Sequence, residues 1–456
     1  MTFNKSMMAL AITSLTFSAG HALAKVSAEE AAKLGNELTP VGAERAGNAT
    51  GTIPEWTGGM TTPPAGYQAG GPRIDPFADE QPLFVIDASN YQQHADKLSE
   101  GQKMMFEKYG ETFKMRVFKT HRTAAAPQWV YDNTIKNATT GMLTEDGNGT
   151  VQANGGFPFP IANNGLEAIW NHNLRWKGEG VYKEYMTAVT YEDGNRSYGG
   201  VNLWEKYPTH TKGVYDPDFN GNIMELLVSY TGPIRRKGEV IVVLDPVNQS
   251  ETPRQAWQYI PGQRRVRRAP TIAFDTPNSG GNGQITYDDT FMFNGSPERY
   301  DWKLVGKKEM YVLYNSNGFL SKFVGKPDEA LELLTPNHVD SSAERWELHR
   351  TWVVQATVKE GKRHAYGSRT YYLDEDTWTA VLADSFDGRG NLWRTNFTRM
   401  LNAYDVPITT LRATSTHDFQ NNAYFMSELD TKPVRFYEGE ASKYFTAGQI
   451  RKMSRR

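Results

Sequence analysis

The pattern of apolar and polar positions divides the chain into two regimes. From about Tyr182 onward, short runs rich in Val, Thr, Tyr and Trp are separated by Gly, Asp, Asn and Pro, the spacing of an antiparallel sheet. Strands are predicted over 188–191, 225–230, 238–244, 254–260, 263–268, 303–314, 347–359, 369–373, 377–386 and 392–400. Pro261-Gly262, Asp374-Glu375-Asp376 and Asp387-Gly388-Arg389-Gly390 read as hairpin turns. Strands follow one another without intervening helical periods, which predicts a meander and not βαβ units.

Before Tyr182 the pattern is sparser. Ser27-Ala28-Glu29-Glu30 has the form of a capping box and predicts a short helix that Gly35 stops. Residues 39–82 are dense in Pro and Gly but carry Trp56, Tyr67, Phe77, Leu83 and Phe84, so an extended arm docked on the body is expected. Helical spacing of apolar residues predicts helices over 88–113, with Asn90 as the cap, over 126–138 and over 165–175.

Residues 1–24 carry Lys5, an apolar stretch and the exit Ala22-Leu23-Ala24, which fits a secretory signal peptide cleaved after Ala24. The stretch is shorter than the roughly 20 apolar residues of a membrane span. A periplasmic protein is therefore expected. With no cysteine in the chain, disulfides, thiolate metal sites and a lipidated cysteine are excluded. A net charge of −2 argues against a nucleic-acid partner, while 11 Trp, 23 Tyr and 21 Phe suit strands and an aromatic-lined surface.

The nine histidines are scattered, without the spacing of a zinc motif, and no nucleophile elbow or phosphate-binding loop is present. No catalytic residue, cofactor or metal site is predicted. His349 and His364 have no partner visible in the sequence. Asp216-Pro217-Asp218-Phe219-Asn220-Gly221 opens like a calcium loop, but Leu227 stands where the bidentate Glu belongs, so it reads as a turn. Asp374-Glu375-Asp376 and Asp288-Asp289 likewise read as solvated turns. Arg264-Arg265-Val266-Arg267-Arg268 is the densest basic run, and strand alternation places two arginines on each face. It reads as an exposed edge strand with acidic neighbours or as a patch for an anionic headgroup or a partner. Trp257 and Tyr259 share a face, as do Phe291 and Phe293, and Trp352, Val354, Ala356 and Val358. The helices are few and short for so much apolar sheet, which leaves room for an apolar ligand.

The run Trp257-Gln258-Tyr259-Ile260-Pro261-Gly262-Gln263-Arg264-Arg265-Val266-Arg267-Arg268 resembles the W-x-Y-x-P-x-x-R-R-V-R-R hairpin of the bacterial family called domain of unknown function 1329. The arm from Leu38 to Asn48 with Gly51 to Trp56, the segment from Gly295 to Leu304, and Asp374 to Trp378 leading to Asp387 and Leu392-Trp393-Arg394 support the resemblance. That family is similar in fold to the periplasmic lipoprotein carriers LolA and LolB, and its members tend to be encoded beside exporters of the resistance-nodulation-division superfamily.

The resemblance implies an α+β fold that is mainly β: a large curved antiparallel sheet or unclosed β-barrel over 89–456, with a few short helices plugging it and the helix and arm of 25–88 in front. It implies a carrier or accessory factor for a lipid or other hydrophobic compound, working with an inner-membrane exporter or an outer-membrane protein. Trp257, Tyr259, Phe291, Phe293, Trp302, Trp352, Val354 and Trp378 are the expected apolar lining, and Arg264, Arg265, Arg267 and Arg268 the headgroup or partner patch. A ligand-free module bridging exporter and outer membrane, and a hydrolase of hydrophobic esters, are the alternatives.

Overall fold

The structure, a computed structural model, describes residues 26–216, 218–269 and 275–453. The predicted signal peptide lies outside the described residues. The chain begins with α1 (Ala28–Ala31), where Ser27 and Glu30 form the expected capping box. After the arm come β1 (Phe84–Ile86), α2 (Glu100–Tyr109), β2 (Met115–Val117), α3 (Gln128–Thr140), the small pair β3 (Met142–Leu143) and β4 (Thr150–Val151), and α4 (Gly165–Asn173). The helix expected over 88–113 is two elements. Residues Tyr91–Lys97 form a 3₁₀ helix that Asn90 does not cap, and α2 starts afresh at Ser99, whose hydroxyl accepts the Gln102 amide. Ser99 and Gln102 satisfy orphan amides reciprocally, a stronger start signal than Asn90 offers.

Six strands follow in sequence: β5 (Gly180–Tyr191), β6 (Arg196–Lys206), β7 (Asn222–Tyr230), β8 (Val240–Pro246), β9 (Gln255–Ile260) and β10 (Arg265–Arg268). After a long connection come β11 (Tyr300–Leu313), α5 (Asn317–Ser321), α6 (Pro327–Ala330), β12 (Trp346–Val358), β13 (Ser368–Asp374), β14 (Ala380–Phe386), β15 (Leu392–Ala403), β16 (Ile408–Asp418), β17 (Ala423–Asp430), β18 (Arg435–Tyr437) and α7 (Ala447–Met453). The sequence pattern missed β6, β16 and β17 and found only the end of β5. These strands carry Thr, Ser, Gly and charged residues at positions that the fold nevertheless buries.

Among the described residues one sheet takes in sixteen strands. Its main path is β11-β12-β13-β14-β15-β16-β17-β5-β6-β7-β8-β9-β10, with β1 and β2 beside the start of β12 and β18 beside β5. Every pairing along that path is antiparallel. The two terminal strands, β11 and β10, do not pair with each other, so the curved sheet stays unclosed.

This topology has a direct consequence. β10 and β11 are consecutive in sequence yet lie at opposite ends of the path, so the chain between them must cross the sheet. Residues 275–299 make that crossing, touching β15 through the Arg394 bond to the Gly283 carbonyl and β13 through Arg369 and Asp288.

The arm docks as expected. Ile53 and Trp56 are buried, and the Trp56 indole donates to the Ala124 carbonyl at 2.9 Å. Arg73 pairs with Asp405, and Phe77 stacks on His121. Arg122 holds the other end: it donates to the carbonyls of Glu44 and Arg45 while binding Asp376.

Candidate binding cavity

The cavity is built from strand alternation in β5–β8. Tyr185 pairs with Val201, Leu203 with Val228, Val228 with Ile241, and Leu226 with Val243, so these side chains stand together on one face. Leu411, Thr414 and Thr416 of β16 and Phe425, Ser427 and Glu428 of β17 continue that face. The crossing segment roofs it with Ile285, Tyr287, Phe291 and Asn294. The space, partly open to solvent, is about 130 Å³. Apolar cavities of about 150 Å³ stay dry and accept a benzene-sized group, so this one suits a hydrocarbon segment.

The roof is pinned by acids that the sequence reading placed in a solvated turn. That expectation is corrected: Asp288 and Asp289 are buried at 1% and 6% exposure. Asp288 binds Arg369 at 2.9 Å and His364 at 3.0 Å and accepts the Thr286 hydroxyl, while Asp289 accepts the Tyr366 hydroxyl at 2.7 Å. Nearby positive charge holds the Asp288 carboxyl well below the usual range although burial pushes the other way. Arg254, paired with Asp245, ties down the far end through the Asn294 carbonyl. Local polarity suggested solvent here; partners about eighty residues away reverse that.

Within the roof, Phe291 and Met292 both have left-handed backbones, with φ of 58° and 73°. Such values are uncommon for residues other than glycine and persist where surroundings over-determine them. Met292 is buried, and the Phe291 carbonyl accepts from His172 Nε2 at 3.1 Å. Because His172 Nδ1 accepts the Ala380 amide, Nε2 is assigned the proton. Burial, with the charges of Arg175 and Lys177, keeps this imidazole neutral.

The cavity floor is polar. Glu428, φ 57° at an irregularity of β17, binds Lys183 at 2.9 Å and Arg412 at 2.8 Å. Lys183 also reaches Glu205 at 3.1 Å, and Arg412 holds Asp430. All of these groups are buried.

The eight residues expected to line a cavity are not brought together. Phe291 lines it. Phe293 and Trp302 form an adjoining aromatic cluster with Tyr371, ring centroids 5.2–5.9 Å apart. Trp352 and Trp378 stack at 5.8 Å, Val354 is fully buried in the main core, and the Trp378 indole donates to the Val41 carbonyl. Trp257 and Tyr259 pair with Val242 and Val240 on the opposite face, where they pack with Phe445 and Ile450 under the C-terminal helix. Periodicity put Trp257 with Tyr259 and Trp352 with Val354 on shared strand faces, but Phe291 and Phe293 lie in the crossing segment and not in a strand, and alternation could not say which face encloses space.

All four arginines of the basic run are exposed on or beside the edge strand β10. Acidic neighbours were one expectation for them; among the described residues none of the ion pairs involves Arg264, Arg265, Arg267 or Arg268.

A second acidic group also departs from the expected solvated turn: Asp374, Glu375 and Asp376 are buried. His349, Asp374 and Asp376 offer ligand atoms within 4.8 Å of one another. Yet Arg122 already binds both oxygens of Asp376, at 2.6 and 2.9 Å, and Arg350 binds Glu375, so guanidinium groups occupy the cation's role. Burial and the Asp376 charge push Asp374 up to about 7. His349 and His364 both have the carboxylate partners that the sequence hid, Glu347 and Asp288. The second His364 nitrogen accepts the Tyr366 amide, which leaves that ring no free position.

No helix among the described residues is long and apolar enough to cross a membrane. The family described as "Protein of unknown function (DUF1329)" matches residues 85–451. An uncharacterized protein of Pseudomonas aeruginosa is 40% identical over 440 residues, 96% of this chain and 95% of that one. A crystal structure of a DUF1329 family protein from Desulfovibrio piger is similar with a TM-score of 0.42 at 16% identity, over 60% of this chain and 92% of that chain. A LolA superfamily protein from Nitrosomonas europaea gives 0.38 at 11% identity, over 63% and 100%.

Proposed function

We propose that this chain, which belongs to the DUF1329 family, is a periplasmic carrier or accessory factor that binds a lipid or other hydrophobic compound. The observation that supports this reading is the apolar cavity between the sheet face of β5–β8 and the crossing segment. Each CH₂ buried there is worth about 0.8 kcal/mol. Because the sheet is unclosed, a ligand can enter when the roof alone shifts, with the strand ladders intact.

The export pattern of residues 1–24 supports the compartment. The exposed arginines Arg264, Arg265, Arg267 and Arg268 suit an anionic headgroup or a docking partner, and an exporter of the resistance-nodulation-division superfamily is the partner that the family resemblance implies. The ligand-contacting set is Phe291 with Leu203, Leu226, Val228 and Ile241. The basic edge, without ion pairs among the described residues, also favours a second reading, a docking module without a ligand.

Native mass spectrometry of protein purified without detergent, followed by solvent extraction, tests the first reading. A co-purifying or freely acquired apolar molecule is expected. A chain that neither arrives with one nor takes one up overturns it in favour of the docking module.

A further inference from the structure

Two basic side chains, Arg175 and Lys177, lie beside the cavity behind Phe291. Arg175 is 2% exposed, and its polar contacts are the carbonyl and ring of His172; its Nε has no hydrogen-bond partner. Lys177 stands beside it with its ammonium 4.4 Å from the Tyr207 ring and 5.9 Å from that of Phe291. Among the described residues neither forms an ion pair. An uncompensated charge as deeply buried as that of Arg175 is strongly destabilising unless something supplies the opposite charge.

The nearby carboxylates are held by other cations and make no ion pair with Arg175 among the described residues. Lys183 and Arg412 are matched against Glu205, Glu428 and Asp430. Burial lowers the Lys177 ammonium to about 7 and the Arg175 guanidinium to about 10, so Arg175 is the lasting cation here and Lys177 is one that a bound anion would charge. His172 and His210 contribute no charge, since burial keeps both neutral. Arg175 and Lys177 line two small spaces of about 20 Å³ each, one shared with Tyr207 and Lys183, the other with Phe293 and Asn294. Phe291 lines both of these and the apolar cavity as well, so its ring is the partition between charge and hydrocarbon.

We infer that the ligand is an amphipathic monoanion, a carboxylate with a hydrocarbon body, seated with its chain along Leu203, Leu226, Val228 and Ile241 and its carboxylate on Arg175 and Lys177 beneath Phe291. This rests on the carrier reading above and adds the head group to it. The two oxygens of one carboxylate can take the free Nε of Arg175 and the Lys177 ammonium together. Displacing the Phe291 ring joins the three spaces.

Calorimetric titration of the delipidated mature chain with dodecanoate and with dodecanol separates the two ideas. Wild type is expected to bind both, dodecanoate more tightly. Arg175→Met should weaken dodecanoate roughly 10- to 100-fold, the worth of a hydrogen bond to a charged group, and leave dodecanol within about twofold. Lys177→Met, at a partly exposed position, should act in the same direction and serves where thermal unfolding shows Arg175→Met misfolded. Dodecanoate binding no tighter than dodecanol, or losing nothing in the variants, overturns the head-group site and leaves the carrier standing. Failure of both compounds to bind wild type overturns the carrier reading itself.

Discussion

Filling the cavity is the sharpest perturbation of the proposed function. Val228 lines it, flanked across the ladder by Leu203 and Ile241, and is only partly buried because it borders open space. In Val228→Trp the indole enters the roughly 130 Å³ that a ligand would occupy. A benzene-sized stretch of ligand amounts to about four CH₂ equivalents, so at ~0.8 kcal/mol each its exclusion costs ~3 kcal/mol. That is about a hundredfold in affinity. Stability should hold, since overpacking penalties of about 1–3 kcal/mol belong to sites already filled. The assay is displacement of a fluorescent apolar probe, read beside a urea unfolding curve. Trp257→Phe, on the opposite face under the C-terminal helix, is the control and should leave binding unchanged. If Val228→Trp unfolds the protein while Trp257→Phe abolishes binding, the cavity has been assigned to the wrong face. Unchanged binding in a folded Val228→Trp refutes the reasoning as directly.

Two further outcomes concern stability. Arg122→Met leaves Asp376 a buried carboxylate without its cation, while Glu375 keeps Arg350 and Lys307, and it frees the Glu44 and Arg45 carbonyls; a loss of about 3–5 kcal/mol is expected from denaturant midpoints, with earlier proteolytic cutting in the arm. Asp384, buried against Thr395 and Ser99, is pushed up to about 6 chiefly by desolvation. An acid with an unfolded value near ~3.9 then binds more protons when folded, so its contribution falls as pH rises from about 4 to 6, by roughly 3 kcal/mol. Asp384→Asn should remove that slope and gain stability relative to wild type at pH 7.5 but not at pH 4; equal pH profiles for the two proteins would contradict the assignment.

The sequence by itself determined the elements whose signals are local. The capping box at Ser27, the helices of 128–140 and 165–173, the hairpin turn at Pro261 and the long strands β11, β12 and β15 follow from periodicity, caps and turn residues a few positions apart. The docked arm was legible in its aromatic residues. Thr410, Thr416 and Glu428 belong to strands that polarity disguised although all three are buried, and the Lys183 that pairs with Glu428 lies 245 positions away. The same holds for Asp288, whose arginine lies 81 positions away. Only the tertiary structure decided which face of the sheet encloses a cavity. That depends on β5 pairing with β17 and on the chain crossing from β10 to β11, and alternation along a single strand carries no record of either. For that reason Phe291 was found among the candidate lining residues, while Trp257 and Tyr259, equally aromatic and equally alternating, turned out to hold the C-terminal helix.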